Sequence, residues 1–150
     1  MNLEKEIHQT APFISEFHKM AVNILFTASW LDRRHTQNLK PFGITPQQFN
    51  ILRILRGQHP KPAGINMLIE RMIDKSSNAS RLVDRLAAKG LVHKQVNHTD
   101  KRAVDVIITA AGLDVLGKID ADRMILEKWL HNITEEEAGE LNRILDKLRG

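Results

Sequence analysis

Two short runs rich in β-branched residues stand out in this sequence, because its other segments repeat their apolar residues at helical spacing. The runs cover residues 91–96 and 104–108, and the polar residues 97–102 between them are typical of a turn that joins two strands. The pattern predicts a mainly helical chain with one small β-hairpin, an α+β fold.

Between residue 39 and the hairpin, three helices are predicted. Thr45 and Gln48 form a capping box that opens the first of them. A short helix follows over residues 65–72. A break at Asp74 then leads into a third helix over residues 75–89, with Asp74 as its N-terminal cap.

The order of these elements, three helices and then a hairpin, is that of a winged helix-turn-helix. We assign residues 39–109 to this DNA-binding lobe. The helical segments on either side, residues 1–38 and 110–150, are assigned to a dimerisation platform within a single integrated domain. Thr134 and Glu137 form a second capping box, which opens the last helix of the platform.

The platform has more apolar surface than one subunit can cover. The long N-terminal helix, predicted over residues 11–37, has two apolar faces, and both must be covered. In a chain of 150 residues, one of these faces is expected to meet a partner subunit. The predicted homodimer interface consists of these apolar side chains: Phe13, Phe17, Leu141, Ile144, Leu145 and Leu148.

Positive charge is concentrated in the middle of the chain. Residues 53–102 hold 11 Lys and Arg against 4 Asp and Glu, a net charge of +7. The remaining residues hold 11 against 14, a net charge of −3. A basic centre between acidic ends is typical of a module that binds a polyanion, although uneven charge on a solvated surface has the same composition.

The third predicted helix has the two faces that a recognition helix needs. Its apolar residues fall on one side, and Asn78, Arg81 and Arg85 fall together on the other. Ser76 and Ser77 lie at its N-terminal end, where backbone amides favour phosphate. Such a helix anchors in its own core and presents polar groups to the major groove. Taken alone, the helix is better explained as a solvated helix with ordinary arginines. The helix-turn-helix before it and the basic hairpin after it favour DNA binding.

The tip of the hairpin holds Asp100, Lys101 and Arg102. In a wing, Arg102 would enter the adjacent minor groove, whose negative potential attracts arginine. Asp100 would brace Arg102 or a backbone amide of the turn, which is a structural role. A basic turn outside a DNA-binding lobe would simply be solvated.

The stretch DKSSNASRLVDRLAAKGLVHKQVNHTDKRAVDVIIT, residues 74–109, resembles the recognition helix and wing of the MarR family of bacterial transcriptional regulators. The upstream GITPQQFNILRIL, residues 43–55, resembles the second helix of that family. The resemblance implies a dimer whose N- and C-terminal helices interlock, with two winged helix-turn-helix lobes. With the patterns above, the predicted DNA contacts are Lys75, Ser76, Ser77, Asn78, Ser80, Arg81, Arg85, Lys101 and Arg102, with Asp100 bracing the wing.

Two positions depart from the family pattern. His93 and Lys94 stand where the family often has an arginine, which puts a family salt bridge in question. Ile69 stands where a small residue is common in the first helix of the helix-turn-helix. It predicts altered packing between that helix and the recognition helix.

Several other classes of protein are disfavoured. No apolar run approaches the ~20 residues that span a bilayer, and no signal-like apolar region opens the chain, so we expect a cytoplasmic protein without membrane contact. Cysteine is absent, and the seven histidines lack ligand spacing such as HxxxH, so no metal site or cofactor is predicted. The chain has no nucleophile motif and no phosphate-binding glycine loop, and it is not expected to be an enzyme.

The resemblance also implies a small aromatic or anionic effector, because many family members bind one between platform and DNA lobe. Phe26, Trp30, Phe49 and Arg53 are candidates to line such a pocket, or else core residues that join the lobes. The sequence therefore predicts a homodimeric, sequence-specific repressor that binds double-stranded DNA at a pseudo-palindromic operator and is released by an effector. Two alternatives stay open: a winged-helix protein that binds or compacts DNA without a ligand response, and a metal-sensing regulator.

Overall fold

The computed structural model describes residues 2–122 and 127–150. It divides into two units, Met1–Gln37 and Asn38–Gly150. The dimerisation platform assigned from the sequence draws on both units and includes residues 123–126, which lie outside the described part. That assignment stays a prediction.

The first unit contains a short helix, α1 (Leu3–Glu6), and most of a long helix, α2 (Glu16–Leu39). The expected start of the long helix at residue 11 is wrong. The Ser15 hydroxyl accepts a hydrogen bond from the amide of His18 at 3.2 Å, which satisfies a first-turn donor and sets the helix start at Glu16. Along the whole of α2 only Leu39 is buried.

The second unit carries the predicted winged helix-turn-helix. After a short 3-10 helix at Lys40–Phe42, its elements are α3 (Pro46–Gln58), β1 (Ala63–Gly64), α4 (Ile65–Arg71), α5 (Ala79–Ala88), β2 (Val92–Val96), β3 (Val104–Ile108), α6 (Ala110–Ala121) and α7 (Glu135–Arg149). The mainly helical fold with a small antiparallel sheet is therefore confirmed.

Both predicted capping boxes are present. The Thr45 hydroxyl accepts from the amide of Gln48 at 3.2 Å, and the Gln48 side chain accepts from the amide of Thr45 at 3.1 Å. Thr134 and Glu137 make the same reciprocal pair, at 3.2 and 2.8 Å. Thr109 caps α6 by accepting from the amide of Gly112 at 3.2 Å. The starts of α3, α6 and α7 are thus set by side chains within four residues of them.

The sheet has three strands in the order β1-β3-β2, so the expectation of a hairpin alone was incomplete. β2 and β3 pair antiparallel from Val92 opposite Ile108 to Val96 opposite Val104. β1 adds to the other edge of β3, with Ala63 opposite Val106. Two residues are too few to show alternation of apolar and polar side chains, so the sequence pattern did not reveal this strand.

One apolar core lies beneath the helix-turn-helix and the sheet. It joins α3, α4, α5, β3 and α6 through side chains that are fully buried, among them Ile51, Leu52, Leu55, Leu68, Val83, Leu86, Val106, Leu116 and Ile119. Close packing of these side chains fixes the directions of α5 and the wing relative to the rest of the lobe.

Candidate nucleic-acid interface

The recognition helix begins later than the sequence predicted. It covers Ala79–Ala88 rather than residues 75–89, and its cap is Asn78 rather than Asp74. The Asn78 side chain accepts from the amide of Arg81 at 3.0 Å. Asn78 therefore serves the helix start and is not part of an exposed helical face with Arg81 and Arg85.

Asp74 instead closes a separate turn. Its carboxylate accepts from the Ser76 amide at 3.0 Å, from the Ser76 hydroxyl at 2.6 Å and from the Ser77 hydroxyl at 2.9 Å. These hydrogen bonds lower the pKa of Asp74, and the bond from the Ser76 hydroxyl has the largest effect. Side chains of this kind compete with the helical pattern for backbone donors, which is why the helix does not extend back to residue 75.

The body of α5 has the expected two faces. Ala79, Val83 and Leu86 are buried in the lobe core. Arg81 and Arg85 are exposed, as is Ser80. This division provides an anchored helix with polar and cationic side chains on its outer face.

Lys75 lies in the turn before α5 and is tied to the preceding helix. Its ammonium donates to the backbone carbonyl of Ile69 at 3.3 Å and to that of Glu70. A cation at the C-terminal end of α4 is favourable because the last carbonyls of a helix carry partial negative charge. Ile69 itself is 41% exposed, and Leu68 supplies the fully buried contact of α4 instead.

The wing tip is an ordered turn. The Asp100 carboxylate accepts from the amide of Arg102 at 2.9 Å, and the Asp100 carbonyl accepts from the amide of Ala103 at 2.9 Å. Lys101 and Arg102 are exposed. The structure therefore places Asp100 against a backbone amide of the turn, with two cationic side chains beside it.

An ion pair connects the wing to the recognition helix. Lys94 Nζ on β2 lies 2.6 Å from Asp84 Oδ1 on α5. From the sequence alone, Lys94 is only a departure from the family pattern, because nothing local links two residues on different elements. Both side chains are partly solvated, so the pair contributes at most about 1 kcal/mol to stability.

The four effector-pocket candidates belong to two different units of the chain. In the first unit, Phe26 and Trp30 are half-buried, and the guanidinium carbon of Arg34 lies 5.6 Å from the centre of a Trp30 ring. In the second unit, the guanidinium carbon of Arg53 lies 5.7 Å from the centre of the Phe49 ring. The pocket itself stays a prediction.

The six predicted interface residues lie at the surface of the single chain or near it. Phe17 is 81% exposed. Leu141, Ile144 and Leu148 on α7 are 49%, 43% and 52% exposed. The other two, Phe13 and Leu145, are half-buried. Large apolar side chains are costly to leave in water. Their exposure makes α2 and α7 candidates for contact with a partner.

Two further properties concern metals and membranes. Within residues 2–122 and 127–150, no three His, Asp or Glu side chains lie close enough together to hold a metal ion. None of the helices in this part of the chain is long and apolar enough to cross a membrane.

A helix-turn-helix followed by a wing with exposed cations at its tip defines the winged-helix class of DNA-binding proteins. The comparisons with known proteins narrow this class. Residues 44–104 match the model of the MarR family. The chain is 30% identical over 113 residues to the transcriptional repressor MdtR of Bacillus subtilis (strain 168), covering 75% of this chain and 72% of MdtR. The chain belongs to the MarR family of DNA-binding transcriptional regulators.

Solved structures share the fold along most of the chain. A mutant MarR from E. coli in complex with operator DNA has a TM-score of 0.78 and 24% identity, covering 92% of this chain and 99% of that one. The organohalide-sensing regulator RdhR in its 2,4-dichlorophenol-bound form has a TM-score of 0.80 and 23% identity, covering 94% and 86%.

Proposed function

We propose that this protein is a homodimeric repressor that binds a pseudo-palindromic operator, with α5 in the major groove and the wing in the adjacent minor groove. The observation that carries the proposal is the outer face of α5, where Arg81 and Arg85 are exposed opposite a buried apolar face. Arginine pairs with guanine edges in the major groove in a bidentate manner. MdtR is named a transcriptional repressor, which supports repression over activation for this protein.

The exposed apolar side chains of α2 and α7 support a homodimer, which has two DNA-binding lobes. Covering them with a second copy would place two recognition helices on one side of the duplex. Two-fold symmetry then requires two half-sites of opposite orientation about one helical turn, or about 10 base pairs, apart.

Selection from a random DNA library, followed by hydroxyl-radical footprinting, tests this function. We expect one inverted repeat with two protected half-sites about 10 base pairs apart. Uniform coating of every sequence would support the alternative of a compacting protein. A single unrepeated half-site would contradict the dimeric arrangement.

We further infer that a small aromatic or anionic molecule releases the protein from its operator. RdhR was solved with 2,4-dichlorophenol bound, and this chain has the same fold. Phe26, Trp30, Phe49 and Arg53 stay the candidate residues for such a ligand. The ligand must bind the DNA-incompetent form better, and a coupling of about 1–3 kcal/mol is ordinary for such regulators.

The two tryptophans make this release measurable. In the variant Trp129→Phe, Trp30 is the remaining tryptophan and reports on its surroundings. Titration with small aromatic acids should change Trp30 emission and weaken operator binding over the same concentration range. If the emission changes while operator affinity does not, the ligand site is unrelated to regulation.

A further inference from the structure

The wing tip is held by a series of hydrogen bonds that begins at a buried carboxylate. Asp105 on the central strand β3 is only 9% exposed. Both of its carboxylate oxygens accept from Nδ2 of Asn97, at 3.1 Å each. The other half of the Asn97 amide faces the turn, where Oδ1 accepts from the backbone amides of Thr99 at 2.8 Å and Asp100 at 2.9 Å. Asn97 therefore joins the sheet to the wing tip.

The series continues to the arginine of the wing. Asp100 Oδ1 accepts from the Arg102 amide at 2.9 Å, so the Arg102 backbone is connected through Asp100 and Asn97 to a carboxylate anchored in the sheet. We propose that Asn97, oriented by Asp105, is a positioning residue that presents Arg102 to DNA. The proposal rests on the proposed function of the wing.

The arrangement requires an amide on one side and a carboxylate on the other. Oδ1 of Asn97 must face two N–H donors and Nδ2 must face acceptors, so one orientation of the amide satisfies every partner. An aspartate at position 97 would still accept from the turn, but it would set an oxygen against the Asp105 carboxylate. Two like charges at this distance in a partly buried site repel each other.

Because position 97 needs an amide and position 105 a carboxylate, exchanging the two groups gives a matched set of variants. N97D removes the donor and places two carboxylates together. The double variant N97D/D105N restores one donor and one acceptor in exchanged positions, and it has the same net charge as the wild type. N97A removes the amide without adding charge. A general effect of charge on DNA binding is thereby separated from an effect of wing geometry.

Binding of the full-length variants to a selected operator, measured by fluorescence anisotropy, tests the proposal. Loss of these charge-assisted hydrogen bonds should weaken binding about tenfold in N97D and N97A. N97D/D105N should bind within about twofold of the wild type. In an R102A background, N97A should change affinity by less than about twofold, because residues that act through one another are not additive.

Amide hydrogen exchange without DNA gives a readout that does not depend on operator binding. The amides of Thr99, Asp100 and Arg102 should exchange faster in N97D than in the wild type, and slowly again in N97D/D105N. Equal exchange in all three proteins would overturn the proposal. So would additive losses of affinity in N97A and R102A, or a double variant that binds as weakly as N97D.

Failure of the proposed function looks different. If the wild type selects no DNA sequence, or if R102A binds the operator as well as the wild type, the DNA-binding role of the wing is wrong. In the second case a loss of affinity in N97A would also show that Asn97 does not act through Arg102.

Discussion

At the scale of single residues, Arg81 combines two functions that belong to different parts of the residue. Its backbone amide donates to the Asn78 side chain and completes the cap of α5, while its guanidinium side chain is exposed. A substitution at this position therefore changes the side chain without removing the cap. This makes Arg81 a suitable position for testing contact with DNA.

We predict that Arg81→Ala weakens specific operator binding by about 1–3 kcal/mol and leaves the melting temperature unchanged, because a bidentate arginine–guanine contact is lost. Binding isotherms on the selected operator and on unrelated DNA measure this loss.

The matched control is Lys118→Ala on α6. It removes the same charge and only an exposed ion pair with Asp114, 2.8 Å long. Operator affinity that falls equally in both variants would show a general charge effect. Unchanged affinity in Arg81→Ala would remove α5 from the groove.

At the scale of elements, the start of α6 packs directly against the turn that joins the recognition helix to the wing, and against Ile108 at the end of β3. The Thr109 amide donates to the Leu91 carbonyl at 3.1 Å, and the Thr109 hydroxyl donates to the Gly90 carbonyl at 2.7 Å. One turn later, a Cβ on Gly112 would meet the Leu91 carbonyl oxygen and would lie 2.7 Å from Cγ1 of Ile108. The glycine permits this close approach of helix and sheet.

Gly112→Ala should therefore destabilise the protein by about 1–3 kcal/mol, because the added methyl group forces α6 away from Leu91 and Ile108. Urea unfolding monitored by circular dichroism measures the change.

Gly117→Ala on the same helix serves as the control, since its Cβ would meet nothing within 4 Å. It should stabilise the protein by about 0.5–1 kcal/mol through the higher helix propensity of alanine. The same sign of change in both variants would contradict the close approach at Gly112.

At the scale of the whole molecule, α2 and α7 each carry large apolar side chains that are exposed in the described part of the single chain, among them Phe17 and Leu25 on α2 and Leu141 and Leu148 on α7. Leu39 is the one buried residue of α2, and α7 has none. Helices of this composition gain most of their stability from packing an apolar face. A second copy of the chain is the occupant that the proposed function requires.

We predict that Leu141→Glu/Leu148→Glu prevents dimerisation, because two carboxylates would have to be buried at the interface. Sedimentation velocity at micromolar concentration measures the association state, and the variant should be monomeric or aggregated. Deletion of residues 134–150 should have the same effect.

Asn142→Glu adds charge on the same helix at an exposed polar position and should leave the dimer intact. A wild-type protein that is a folded monomer at micromolar concentration would contradict the proposed assembly.

The features that the sequence alone determined are local. Thr45 and Thr134 cap helices through partners three residues away, and the apolar face of α5 follows from spacing within one helix. The outer face of α5, with Arg81 and Arg85, and the cationic tip of the wing were identified for the same reason. The order of the elements followed from the sequence pattern as well, and the comparisons confirmed the family resemblance.

Only the tertiary structure decided how distant segments meet. It paired Ala63 with Val106, joined Lys94 to Asp84 and set Asn97 against Asp105. The start of α5 is a local matter, because Asp74 and Asn78 are neighbouring candidate caps that differ little in sequence preference, and the sequence pattern did not decide between them. Capping and periodicity act between neighbours along the chain, whereas these contacts depend on which side chains the packed core brings together.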